Sequence, residues 1–195
     1  MEQGGEMGRD DLVGEVHRLE RHPLDESIGL LGLLVVTPAG DGSRYAQRLR
    51  GLIAAAVEIA RSADFESDEV SGVGLPSWFL ALSTGAAGDV PGDAMGSAGK
   101  RRYLEVRDDR SWSSDEWIYC FDPDLRAWSW WDITVGDNGK ICVWVDTKGE
   151  AHIPCEELWW AVFAAGAASV ERLTLEYASV WAEQPEPPWP KSSPS

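Results

Sequence analysis

Eight of the eleven tryptophans lie between positions 111 and 160, and this crowding limits the fold more than any other feature of the chain. Each indole ring buries on the order of 150–250 Å² and needs a partner for its N–H, so one stretch this rich in rings must have a core assembled around it. The rings fall in three short runs: Trp117-Ile118-Tyr119-Cys120-Phe121, Trp128-Ser129-Trp130-Trp131-Asp132-Ile133 and Ile141-Cys142-Val143-Trp144-Val145. Asp122-Pro123-Asp124 and Gly136-Asp137-Asn138-Gly139 separate them, and both are turn signals because proline fixes φ while glycine and asparagine accept positive φ. Aromatic and β-branched runs bounded by such turns predict an antiparallel meander.

The elements around the meander follow from period and punctuation. Asp10-Asp11 precede a helical stripe of Leu12, Val13, Val16 and Leu19, which Pro23 closes. His17 and His22, beside this helix end, read as surface residues. Ile28 to Thr37 is uniformly apolar, which leaves strand and buried helix unresolved; Asp25 or Ser27 as a cap favours the helix. Tyr45, Leu49, Leu52, Ile53, Ala56, Val57 and Ala60 recur at three- and four-residue steps and predict a helix over 43–62. Residues 76–82 are apolar and buried, of either type.

Glycine, alanine and serine dominate 83–100, which reads as a flexible connection. Tyr103 to Arg107 alternates and could lead the sheet, and Ala151 to Ile153 is a candidate short strand. A helix opens at Pro154 and stops at Gly166, and Leu173 to Trp181 is a returning strand. The expected organisation is α+β: a mainly helical region 1–82, a linker 83–100, an antiparallel tryptophan-rich sheet with a packed helix over 101–182, and a proline-rich, extended or disordered tail 183–195.

Charge narrows the function. A formal net charge of −16 repels phosphate backbones and argues against nucleic-acid binding. It suits a basic protein partner, imitation of a polyanion in a basic groove, or plain solubility. Three separated cysteines form no paired framework, the first eleven residues are acidic where a signal peptide is basic, and the apolar run 28–36 is far short of the ~20 residues that span a bilayer. The expectation is a cytoplasmic protein with no membrane segment.

Strand parity places Trp117, Tyr119 and Phe121 on one face of the first run, and Trp131, Ile133 and Val135 opposite Trp128, Trp130, Asp132 and Thr134 in the second. Cys142 and Trp144 lie behind Ile141, Val143 and Val145. Both faces are apolar, so the rings are either core or a partly exposed platform. In the second case Trp117, Trp128, Trp130 and Trp144 form an aromatic centre, and Asp115, Glu116, Asp122 and Asp124 its acidic rim, an arrangement that fits a basic protein.

Chemistry is sparse by comparison. His152-Ile153-Pro154-Cys155 puts a thiol at a helix start beside an imidazole, where a thiolate can be reactive, but Glu156 and Glu157 oppose it. Cys120, Cys142, His152 and Cys155 are suitable zinc ligand types without a short cysteine pair. Asp122 with Asp124, or Asp108 with Asp109, could hold a divalent cation. No phosphate loop, dinucleotide fingerprint, nucleophile elbow or zinc-protease helix is present. No catalytic residue, metal or cofactor is therefore assigned. The alternatives to protein binding are a small-molecule or carbohydrate module with a tryptophan-lined cleft and an enzyme using Cys155 or a carboxylate pair.

The runs Trp117 to Phe121 and Trp128 to Ile133, with the closing helix Glu156 to Gly166 and its Trp159-Trp160, resemble in character the small acidic immunity proteins of bacterial polymorphic toxin systems. The alanine, glycine, arginine and tryptophan usage likewise looks like that of a high-GC bacterium. The resemblance implies stoichiometric inhibition, in which an acidic surface docks on the basic substrate groove of a toxin domain.

Overall fold

The computed structural model describes residues 4–20, 22–23, 28–66, 70–84, 89–107 and 111–187. Among these the order is α1 (Gly4–Glu20), β1 (Leu30–Pro38), α2 (Gly42–Ser62), α3 (Ser77–Leu82), α4 (Ala94–Arg107), α5 (Ser114–Tyr119), β2 (Ser129–Val135), β3 (Ile141–Asp146), α6 (Glu156–Ala164), β4 (Ala167–Val170), β5 (Thr174–Tyr177) and α7 (Ala178–Ala182). This is an α+β fold with an antiparallel sheet.

The sheet is built around β1, where the sequence favoured a helix. Leu31, Leu33, Leu34 and Val36 are all buried because β1 is central and covered on both faces, and such a strand shows no period. The capping candidates Asp25 and Ser27 lie outside the described residues. β1 pairs with β3 along one edge, while β5 and β4 share the other, at Leu30 to Leu33 and Val36 to Pro38 respectively. Gly32 is needed at the crossing: a Cβ there would stand 2.9 Å from Val145 Cγ2 and from Thr147 Cγ2. β2 and β3 form the predicted hairpin, whose turn places Asn138 (φ 59°) and Gly139 (φ 74°) in the left-handed region those residues accept.

A bulge alters the expected parity in β2. Register shifts between Trp130, opposite Val145, and Asp132, opposite Trp144, so Trp131 is an extra residue and the faces exchange there. Trp130 therefore joins Ile133, Val143 and Val145 in the main core, and Trp131 joins Trp144, Leu31 and Leu33 on the other face. The main core also holds the whole predicted stripe of α2, from Tyr45 to Ala60, with Leu158 and Trp160 to Ala165 at α6, and runs without a break from Leu12 to Ala167. The second face is closed by Ala178 and Trp181 of α7.

Other expectations change as well. Trp117 to Phe121 is not a strand: Ser113 accepts from Glu116 N–H and Glu116 from Ser113 N–H, a capping box that starts α5. The span 94–107 is one helix, replacing both the end of the flexible connection and the strand at Tyr103. Ala151 to Ile153 lies outside the strands, and α6 begins at Glu156 with Cys155 as its cap. The returning strand ends at Tyr177, after which α7 turns Trp181 back over the sheet until the ring is 1% exposed. Of the expected tail, Pro185 accepts the backbone N–H of Val135 at 2.9 Å and Pro187 is buried; residues 188–195 lie outside the described residues.

The free edge of β2 is covered by side chains of α1. Glu15 accepts the N–H of Trp130 at 2.5 Å and Arg18 donates to its carbonyl at 2.8 Å. These residues are three apart and share a helix face. At Trp130 both backbone groups of the edge are thus taken up by side chains and withheld from another strand. Arg126 clasps Glu15 with two bonds of 2.9 Å, both side chains fully buried.

Candidate functional site

The four tryptophans proposed as a platform are core. Trp117, Trp128, Trp130 and Trp144 are all 0% exposed. Trp117 Nε1 donates to Glu157 O at 2.9 Å, Trp128 Nε1 to the Glu157 carboxylate, and Trp144 Nε1 to Thr134 Oγ1 at 2.8 Å. The area of all four is consumed inside the fold, as are the N–H groups of three, while Trp130 Nε1 is buried without a hydrogen-bond partner among the described residues; this corrects the expectation of a partly exposed aromatic centre. For Trp117 the cause is the helical course of 114–119, which turns its ring inward to 4.6 Å from that of Phe121, centroid to centroid.

Glu157 makes this packing sensitive to pH. Burial, the dominant cause, raises its carboxyl above the ordinary value, while the bond from Trp128 and the field of Arg126 act in the opposite direction. The folded state therefore binds the proton more tightly than the unfolded chain, and this group's contribution to stability falls as pH rises above about 4.3. Glu157→Gln keeps an acceptor for Trp128 and abolishes the ionisation. The variant is expected to be more stable than the parent at pH 7 in urea unfolding, with the gap closing toward pH 4.

Of the acidic rim, Asp115, Glu116 and Asp124 are exposed and Asp122 is half-buried, and the four stand beside different apolar residues. Asp115 accepts the N–H of Gly72 at 2.9 Å and so joins the 70–75 loop to the start of α5. Glu116 completes the capping box, and Asp122 Oδ1 accepts the N–H of Asp124 at 3.0 Å in the following turn. Beside these carboxylates stand Leu125, 83% exposed, Val73, 81% exposed, and Tyr119. Phe65 packs edge-on to Tyr119 at 6.1 Å, and Asp64 and Glu66 flank Phe65. α5, the Asp122 turn and the segments 63–66 and 70–75 thus carry exposed or half-exposed apolar side chains beside carboxylates.

Leu125 escaped the sequence reading because it sits next to Arg126 in a turn, with no period to show which way it points. Arg126 goes inward to Glu15, stacking over Trp128 at 4.0 Å and Phe121 at 4.3 Å. Leu125 is left outward.

The chemical candidates separate in space. Cys155 is buried, and its thiol is pushed up to about 11 by burial and then by Glu157 and Glu156, so the nucleophilic form is suppressed. His152 is exposed. Cys142 lies on the second face of the sheet and Cys155 in the main core; the proposed zinc ligands are not brought together, and no group of three His, Cys, Asp or Glu among the described residues could hold a metal ion. Asp122 and Asp124 bond within their own turn, and Asp108 and Asp109 lie outside the described residues.

One constellation was missed. His22 is half-buried, where a surface residue was expected, and its Nδ1 lies 2.7 Å from Oδ2 of the fully buried Asp132. Trp181 Nε1 donates to the same oxygen at 2.9 Å and stacks on the imidazole at 4.9 Å. Arg50 approaches Oδ1 at 3.7 Å and Glu186 approaches His22 at 3.7 Å. Burial raises the Asp132 carboxyl, opposed by Trp181, the backbone of Ile133, His22 and Arg50. These groups join the end of α1, α2, β2 and the chain after α7, and their role is to knit those elements together. A histidine just beyond a helix and an aspartate in an aromatic strand carried no signal of their pairing.

No helix among the described residues is long and apolar enough to cross a membrane. No protein-family model, curated protein or solved structure matches the chain.

Proposed function

We propose that the chain is a non-catalytic protein-binding module, of the inhibitor or immunity type found in bacterial toxin systems, which docks an acidic face on a basic protein in the cytoplasm. The observation that carries this reading is the exposure of Leu125 within a frame of Asp115, Glu116, Asp122 and Asp124. A large aliphatic side chain in water among carboxylates contributes little to a monomer, yet supplies the apolar centre and charged margin of an interface. The formal charge of −16 steers a basic partner toward it. Tyr119 and Val73 extend the centre; the tryptophans beneath support it and make no contact with the partner.

Binding kinetics against the basic proteins encoded by the neighbouring reading frames provide the test. Leu125→Asp is expected to weaken the complex by roughly 10- to 100-fold through faster dissociation, as loss of a central anchor does. Asp122→Asn with Asp124→Asn is expected to slow association and flatten its salt dependence. Unchanged kinetics in both variants would refute the assignment of this face.

A further inference from the structure

The β2–β3 hairpin ends beside a groove of about 620 Å³. Its floor is the second face of the sheet at Leu33, Val35 and Cys142. Its walls are Asp137, Asn138 and Lys140 of the hairpin turn, Glu171 after β4, and Glu183 to Pro185 after α7. Trp131, Trp144 and Trp181 close one part of that face; α7 ends at Ala182, and among the described residues the remainder stays open.

The groove is negative. One ammonium, Lys140, stands against the carboxylates of Asp137, Glu171 and Glu183, and it is already paired with Glu171 at 2.6 Å. The negative field reaches the floor: the Cys142 thiol is raised first by burial and also by Asp137 and Glu171, against bonds from Gln184 and Thr134 that lower it. An apolar floor, a carboxylate wall and a volume within the ~300–1,000 Å³ of small-ligand sites define one ligand chemistry.

We propose that this groove binds a small organic cation, an amine carried on an apolar body, with the body on Leu33, Val35 and Cys142 and the ammonium at Glu171 and Glu183. The site is distinct from the acidic face. Ser129 and Val135 end the strand that separates them, roughly 20 Å long at ~3.3 Å per residue, and no partner protein is needed for the test.

Octylammonium chloride is titrated into the full chain and followed by amide NMR, with octanol and octanoate as matched neutral and anionic probes. Saturable shifts are expected at Leu33, Val35, Asn138 and Cys142, with octylammonium binding about tenfold or more tightly than octanol and octanoate producing no shifts. Glu171→Gln with Glu183→Gln is expected to weaken octylammonium about tenfold or more while leaving the spectrum outside the groove unchanged. The proposal is overturned if octanoate or octanol binds as well as the cation, if the shifts map elsewhere, or if the double variant binds octylammonium with parental affinity.

Discussion

Gly99→Ala is expected to destabilise the chain by about 3 kcal/mol or more, at a position where helix propensity alone would predict a gain of up to ~1 kcal/mol. Gly99 lies inside α4, and a Cβ built there would stand 1.8 Å from Phe163 O and 3.2 Å from Gly166 Cα. Backbone cannot step aside as the tip of a side chain can. The helices α4 and α6 would have to separate, opening the cluster of Tyr103, Trp160 and Phe163, whose ring centroids lie 5.1 and 5.9 Å from Tyr103. Gly51 supplies the control. It lies in α2, exposed, with nothing within 4 Å of a notional Cβ, so Gly51→Ala is expected to stabilise by up to ~1 kcal/mol. At this chain length the two substitutions should move the melting temperature in opposite directions, by roughly 6–12 °C down and 2–4 °C up.

Removing one partner of the buried ion pair has a comparable effect by a different route. Glu15→Met leaves the Arg126 guanidinium without its carboxylate and the Trp130 N–H without an acceptor, all three groups being buried. The expected loss is about 3–5 kcal/mol, set by the desolvated charge left behind more than by the strength of the pair. Arg126→Met should cost a similar amount by orphaning Glu15. Glu15→Met with Arg126→Met removes both charges and keeps apolar volume between Phe121 and Trp128, so most of the loss should be recovered. Urea unfolding of the four proteins gives the coupling energy directly. If the double variant loses the sum of the single losses, the pair is not coupled and α1 is held by its apolar contacts alone.

These two sites show where the sequence was legible and where it was not. The stripe of α2 could be read because the helix is amphipathic and lies on the core with one face, so burial and period coincide. The strands β2 and β3 could be read because turns with fixed backbone demands bracket them. α4 could not: glycine, alanine and serine describe a flexible connection by composition, but Gly96, Ser97 and Gly99 are buried at close helix contacts. Small residues report closeness of backbones only once a second backbone is known to be there.

α5 was readable in principle, since Ser113 followed by Glu116 before an apolar run is a capping-box pattern. Its aromatic and β-branched content pointed to a strand, and the local hydrogen bonds outweighed that preference. The bulge at Trp131 inverts half of β2, and parity has no means of anticipating one extra residue.

The same division holds for the candidate site. Asp115, Glu116, Asp122 and Asp124 are close in sequence and confined to a short helix and a turn, so their position at or near the surface was legible. Which apolar groups they surround was not. A tryptophan is large enough to be either a core filler or an anchor, and only packing against Glu157, Phe121 and Arg126 decides that the rings go in. Leu125 stays out.

Site-specific photocrosslinking in the source cells tests the central claim most directly. A photoreactive residue at Leu125 is compared with one at Val180, which is also exposed but lies on α7, remote in sequence from the acidic face. The account predicts an adduct from position 125 with a basic protein, lost at about 0.5 M salt where the Debye length falls to a few ångströms, and no such adduct from position 180. A basic partner captured through position 180 and not through position 125, or an adduct at 125 that is indifferent to salt, would contradict it.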